Sequence, residues 1–143
     1  MSLQVTFWIM WRVGMAKGYN KHAARKEALG KLGRALARRA RSACELCEAR
    51  NTRLDPVEIE PLPEEPELER SAMLCERCQK AVAGGALDAQ QWRFLESAVW
   101  NELPVVQVVA VRILDRLVAD DVGWAVDLRD SLYLSEEVSQ WLG

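Results

Sequence analysis

Two segments decide the fold of this chain, Cys44-Glu-Leu-Cys47 and Cys75-Glu-Arg-Cys78, and 27 residues separate them. They contain all four cysteines of the sequence. A Cys-x-x-Cys pair on a tight turn presents two sulfurs to one side of a metal, and two such pairs complete a tetrahedron of soft ligands. The spacing exceeds the usual interval of about 15 to 20 residues, and an intervening loop rich in Pro and Glu accounts for the excess. The sequence therefore predicts one structural Zn²⁺ ion bound by Cys44, Cys47, Cys75 and Cys78.

Other uses of the cysteines fit the sequence less well. An even cysteine count permits two disulfides in a secreted protein, but no convincing signal peptide precedes these pairs, so a cytoplasmic protein with reduced thiols is predicted. A thioredoxin-like redox site has a single pair between a strand and a helix of a βαβ unit, and that pattern is not visible here. Iron held as in a rubredoxin is the remaining alternative.

The sequence offers little material for catalysis. Four thiolates leave no open metal position for water or substrate. The single histidine, His22, is predicted to be a surface residue, and no phosphate-binding glycine loop or nucleophile elbow is present. Asp127 and Asp130 have the spacing of a solvated helix surface. We therefore predict no catalytic residue and identify no small-molecule substrate.

Residues 1–14 are predicted to be a disordered tail or an over-extended start, because a natural-looking cytosolic start follows at Met15. The apolar run from Val5 to Trp11 is too short to span a bilayer, which takes about 20 residues. No membrane association is expected. The alternative is that this run adds a short strand to the edge of the fold.

Charge is segregated along the chain, although the formal net charge is only −2. Residues 17–41 carry nine Lys or Arg and one acid, whereas residues 55–69 carry seven Asp or Glu and no base. We predict a basic helix within residues 15–41, from about Asn20 to Arg41, which Gly30 and Gly33 weaken. Its basic side chains are candidate contacts for nucleic acid or an anionic protein surface: Lys31, Arg34, Arg38, Arg39 and Arg41. The alternative is that these charges are solvated or pair with the acidic run.

Residues 42–83 are predicted to form a small zinc ribbon. Four prolines, Pro56, Pro61, Pro63 and Pro66, exclude a helix between the cysteine pairs. A short strand is expected around Val57 and Ile59.

Residues 84–143 are predicted to form an α-helical domain. Asp88 and Gln91 have the spacing of a helix-capping pair, which indicates a helix to about Asn101. Pro104 is expected to begin a helix that reaches Val118, and two shorter helices follow at residues 124–132 and 136–142. The core of this domain is predicted to contain four tryptophans, Trp92, Trp100, Trp124 and Trp141. The predicted fold class is therefore α+β and mainly α: a ribbon with few short strands, preceded by a basic amphipathic helix.

Four segments of the chain together resemble the bacterial PhnA zinc-ribbon family over about residues 36–142. They are RSACELCEAR, MLCERCQ, WRFLESAVWNELPVVQVVAVRILDRL and WAVDLRDSLYL. Besides the cysteines, the resemblance rests on Trp100, Pro104, Gln107, Arg112, Trp124, Asp127 and Tyr133. It implies a cytoplasmic protein labelled for alkylphosphonate utilisation, a label that comes from an operon and establishes no chemistry. Family members of this type continue into a β-rich C-terminal domain that has no counterpart in this sequence.

The leading functional hypothesis is a non-catalytic zinc-binding module whose basic helix contacts nucleic acid or another anionic partner. A phosphonate-related hydrolase is the alternative that the family label suggests, and it requires a second metal or a carboxylate centre at residues such as Asp127 and Asp130. A protein-interaction adaptor that uses the tryptophans of the helical domain is a third possibility.

Overall fold

The structure, a computed structural model, describes residues 21–143. The tail predicted for residues 1–14, and the first part of the segment 15–41, lie outside the described residues. Helix α1 covers residues 21–31, and α2 is Gly33–Ala40. The prediction of one continuous helix is therefore wrong at Leu32, where a turn separates the two. Gly30 and Gly33 flank this turn, and glycine is the weakest helix former after proline.

The segment predicted to be a ribbon, residues 42–83, contains one antiparallel pair of strands. Strand β1 is Leu54–Glu58 and strand β2 is Ser71–Cys75, with Leu54 opposite Cys75 and Glu58 opposite Ser71. The expected strand around Val57 is thus present, and Ile59 lies just beyond its end. A single 3₁₀ turn, Leu68–Arg70, leads into β2, and helix α3, Glu76–Val82, follows β2 directly. Strand β2 and α3 carry the second cysteine pair.

The remaining helices are α4 (Leu95–Ala98), α5 (Pro104–Ala119), α6 (Gly123–Ser131) and α7 (Glu136–Leu142). Helices α5 to α7 confirm the predicted segments, with Pro104 as the first residue of α5. The helix predicted from Asp88 to Asn101 is wrong in extent, because residues 89–94 form turns. Asp88 still acts as a cap, since its Oδ1 accepts hydrogen bonds from the backbone N–H groups of Gln90 and Gln91.

One hydrophobic core crosses the boundary that the sequence suggested between ribbon and helical part. It joins Cys44 and Leu74 of the cysteine-containing segment 42–83 to Val106 and Leu114 of α5 and to Val138 of α7. Helix α5 is the centre of this core. Residues 42–83 and the helices that follow them are therefore packed against each other through shared apolar side chains.

The tryptophans do not share one environment. Trp92 is buried, and Trp124 and Trp141 are partly buried against the core. Trp100 is 49% exposed, so its predicted place in the core is wrong. Within the range 21–143, no helix has the length and apolar character that crossing a bilayer requires.

Candidate metal centre

The four cysteine sulfurs form one cluster. Their Sγ atoms all lie within 4.8 Å of one another, and the Sγ atoms of Cys47 and Cys75 are 3.6 Å apart. All four thiols are free of disulfides, and only Cys47 is more than marginally exposed to solvent. The structure thus brings together the four predicted ligands in a group that can hold a metal ion.

A tight backbone turn positions the first pair. The N–H of Cys44 donates to the carbonyl of Ala49 (3.0 Å), and the N–H of Glu48 donates to the carbonyl of Cys44 (2.9 Å). Glu48 has a φ of 64°, which lies in the left-handed region. Within this turn, the backbone N–H of Ala49 contributes to lowering the pKa of Cys47. The turn therefore orients both sulfurs of the pair and supplies backbone donors to them.

The second pair lies at the junction of β2 and α3. Cys75 is the last residue of β2, and Cys78 lies in the first turn of α3. A strand that ends at the first cysteine and a helix that begins there are the local geometry of a redox Cys-x-x-Cys site. Here, however, the sheet has two antiparallel strands and a second cysteine pair meets the first. The arrangement is that of a four-sulfur cluster.

Hydrogen bonds between the thiols shift the pKa values of Cys44, Cys47 and Cys78 in different directions. Hydrogen bonds from the Cys44 and Cys78 thiols hold the pKa of Cys47 far below its ordinary value. The pKa of Cys78 is strongly raised by its hydrogen bonds to Cys44 and Cys47, and the pKa of Cys44 is raised mainly by its hydrogen bond to Cys47. Sulfurs this close repel one another when all are ionised. A bound divalent cation removes that repulsion and stabilises four thiolates together.

A buried ion pair supports the first turn from outside the cluster. The Glu45 carboxylate is 4% exposed and accepts two hydrogen bonds from Arg39, at 2.8 and 2.9 Å. It also accepts one from the N–H of Met73 at 2.8 Å. Arg39 donates further to the carbonyls of Leu68 and Ser71. This pair therefore ties α2 and the first cysteine turn to β2, and sequence reasoning missed the part that Glu45 plays in it.

A second cation lies directly beside the sulfurs. Arg77, between Cys75 and Cys78 in sequence, stacks over the rings of Trp92 and Phe94 at 5.3 and 5.2 Å. Burial lowers the pKa of Arg77, but a hydrogen bond to Cys47 and the charges of the cluster outweigh it and leave the pKa raised. Groups that contact metal ligands from outside often tune the metal site. No sequence pattern distinguished Arg77 beforehand.

The structure separates the predicted anion-binding residues into two groups. Arg39 is used inside the protein, as described above. The others are exposed and have no ion-pair partner among residues 21–143: Lys31, Arg34, Arg38 and Arg41. A similar internal use occurs at Arg25 in α1, whose guanidinium donates two hydrogen bonds to Glu58 in the acidic run. The alternative prediction, that basic side chains pair with the acidic run of residues 55–69, thus holds for Arg25.

Other polar residues singled out in the sequence lie on the surface. His22 is exposed in α1, and Asp127 and Asp130 are exposed on α6. In the part of the chain that the structure describes, the cysteine cluster is the one group of three or more His, Cys, Asp or Glu side chains close enough to hold an ion.

Comparison of the chain with protein-family models, with curated proteins and with solved structures finds no match. The resemblance to the PhnA family therefore stays a prediction, and function is inferred from the residues of this chain.

Proposed function

We propose that the chain is a non-catalytic zinc-binding module that uses an exposed basic face to bind nucleic acid. Four thiolates around Zn²⁺ at about 2.3 Å place their sulfurs about 3.8 Å apart. The 3.6 Å separation of the Cys47 and Cys75 sulfurs, and the 4.8 Å limit on the whole set, fit this geometry. This cluster is the observation that carries the metal part of the proposal.

The zinc would be structural. Four protein ligands close the coordination sphere, so no position is left at which the metal can activate water. Such an ion ties the turn that follows α2 to the junction of β2 and α3. Binding of zinc by small ribbons supplies apparent folding energy of about 10 to 16 kcal/mol. The PhnA resemblance rests on these same cysteines and accords with a metal-stabilised scaffold.

The basic face supports the second part of the proposal. It consists of four exposed side chains along α1, α2 and the residue that ends α2: Lys31, Arg34, Arg38 and Arg41. Arg34 and Arg38 are one helical turn apart, so they project from the same side of α2. Lys and Arg side chains arranged along one helix face form the electrostatic footprint of many nucleic-acid-binding proteins.

A groove with both polar and apolar lining residues lies beside this face. Its volume is about 480 Å³, and its lining includes Ser42, Asn51, Thr52 and Arg53. Hydroxyl, amide and guanidinium groups are common donors to phosphate and sugar oxygens. The lining contains no aromatic ring on which a base could stack. We therefore infer contacts to the phosphate backbone, with little preference for sequence.

Salt dependence tests this inference. A fluorescently labelled DNA duplex is titrated with zinc-loaded protein at increasing salt, and binding is followed by anisotropy. Four phosphate contacts predict a slope of log K against log salt of about −3.6. Replacing Arg34, Arg38 and Arg41 together by Gln should reduce the steepness by about 2.7 and weaken binding to all sequences alike.

A matched control removes the same charge elsewhere. Three other basic residues, each in a surface ion pair, are replaced by Gln: Lys80, Arg93 and Arg129. The proposal expects the control to retain most of the affinity and slope. Equal losses in the two triple variants, or binding that does not depend on salt, would show that the basic face is not the contact surface.

A protein-interaction adaptor is the second candidate, because Trp100 is 49% exposed. Tryptophan is enriched among the residues that dominate protein interfaces. A partner that covers Trp100 would shift its fluorescence emission to the blue. A Trp100→Phe variant should lose that shift and bind the partner less tightly, whereas unchanged affinity would exclude Trp100 from the interface.

A further inference from the structure

A cleft of about 840 Å³ separates the strand region from the helices. One wall is β1 with residues 59–61, and the other is the C-terminal end of α3 with one face of α5. The volume falls within the range of about 300 to 1,000 Å³ that is typical of small-molecule sites. The cleft shares no lining residue with the cysteine cluster or with the basic face.

The lining of the cleft is mainly apolar. Val57 and Ile59 line it from the strand side, and Val109 and Ile113 line it from α5. Val82 of α3 also lines the cleft and is 38% exposed. An apolar wall with few polar groups is the usual composition of a ligand pocket. The body of a fitting ligand is therefore hydrocarbon or aromatic.

Four ionisable side chains line the cleft, and two of them are fully used within the protein. Glu58 accepts two hydrogen bonds from Arg25, at 2.8 and 2.7 Å. Arg116 donates to the carbonyls of Ala81, Gly84 and Gly85, with distances of 2.8, 3.3 and 2.6 Å. Arg116 thus links α5 to the residues at the end of α3, Glu58 links β1 to α1, and both side chains have little capacity left for a ligand.

Arg112 differs from these two residues. Its guanidinium donates one long hydrogen bond, 3.4 Å, to the carbonyl of Trp141, and it has no ion pair within 4.0 Å in the described range 21–143. A guanidinium carries five N–H donors, so most of those on Arg112 have no acceptor among residues 21–143. Burial lowers the pKa of Arg112, and the charge of Glu60 only partly offsets this. The cation is thus partly desolvated, and no counter-ion lies within 4.0 Å of it in the part of the chain that the structure describes.

We propose that this cleft binds a small amphipathic anion, such as a medium-chain or aromatic carboxylate. The anionic group pairs with Arg112, and the apolar body lies between α3, α5 and the strand side. An anion at this place compensates the desolvated guanidinium and gains charge-assisted hydrogen bonds. Glu60, the fourth ionisable residue of the lining, opposes binding because its carboxylate carries the same charge as the ligand.

The test uses 8-anilinonaphthalene-1-sulfonate as probe, with the full zinc-loaded chain. This molecule joins an anionic sulfonate to aromatic rings and fluoresces when it leaves water. We expect saturable binding at one site per chain and competition by decanoate. Arg112→Gln should weaken the affinity by about tenfold, which corresponds to about 1.4 kcal/mol. Glu60→Gln should strengthen it by a few-fold, because charges near the surface are screened.

Arg129→Gln is the control, since Arg129 lies on α6 and pairs with Asp115 outside the cleft. It should leave the affinity unchanged. Circular dichroism verifies that each variant is folded, and Glu60→Gln decides the question if Arg112→Gln does not fold. Affinity that is insensitive to Glu60 or Arg112, binding of many probes per chain, or no saturable binding of probe and decanoate overturns the proposal.

Discussion

Neighbouring arginines in α2 are expected to have opposite roles, and Arg39→Gln is the perturbation that shows it. This change removes the partner of a carboxylate that is 4% exposed and leaves Glu45 with the N–H of Met73. Breaking a buried ion pair from one side costs about 3 to 5 kcal/mol. The Arg39 side chain is itself 18% exposed, so we take the lower value, about 3 kcal/mol. Arg38→Gln, at an exposed position one residue earlier, should change stability by less than about 0.5 kcal/mol.

Urea unfolding followed by tryptophan fluorescence measures both effects. The free zinc concentration is held fixed, because ligand binding adds to the measured stability. With a slope of about 1.5 kcal/mol per molar urea, Arg39→Gln should lower the unfolding midpoint by about 2 M. The DNA titration should give the reverse order, with Arg38→Gln the weaker binder of the two. Equal midpoint shifts for the two variants, or none for Arg39→Gln, would refute the structural role of Arg39.

Three further substitutions test the packing around helices α2 and α3 by thermal unfolding. Gly85→Ala should destabilise the protein by about 1 to 3 kcal/mol, because the added Cβ would lie 2.8 Å from the carbonyl oxygen of Lys80. Gly33→Ala should stabilise it by about 0.5 to 1 kcal/mol, since nothing lies within 4 Å of the new Cβ at the start of α2. Arg116→Gln should cost about 2 kcal/mol through its contacts with the carbonyls after α3. The contacts described for these residues would be contradicted if Gly85→Ala raised the unfolding temperature, if Gly33→Ala lowered it, or if Arg116→Gln left it unchanged.

The cysteine cluster and helices α5 to α7 could be predicted because their signals are local. Two Cys-x-x-Cys pairs require neither a sheet register nor a core to be recognised, and α5 begins at Pro104, where proline is favoured. The helix α7 begins after Ser135, whose hydroxyl accepts a hydrogen bond from the N–H of Val138. Each of these features is fixed by residues within a few positions of one another.

The features that could not be predicted depend on distant partners. Strand β2 has the sequence SAMLC and is buried throughout, so it shows no alternation, and its middle residues favour helix as much as strand. Its conformation is decided by pairing with β1. Likewise, nothing near Arg39 in the sequence separates it from Arg38. Glu45, Leu68 and Ser71 make that distinction, and they come close only in the folded protein.

The most direct test of the four-thiolate metal centre is the metal content of the purified protein, with Co²⁺ exchanged for the bound ion. We predict one zinc per chain and a Co²⁺ spectrum with tetrahedral d–d bands and strong thiolate charge transfer. The Cys78→Ser variant should lose or greatly weaken both the zinc binding and the thiolate charge-transfer bands. Iron in place of zinc would correct the identity of the ion but not the site. Disulfides without metal, two metals per chain, or an oxygen-rich Co²⁺ spectrum would contradict a closed site formed by Cys44, Cys47, Cys75 and Cys78.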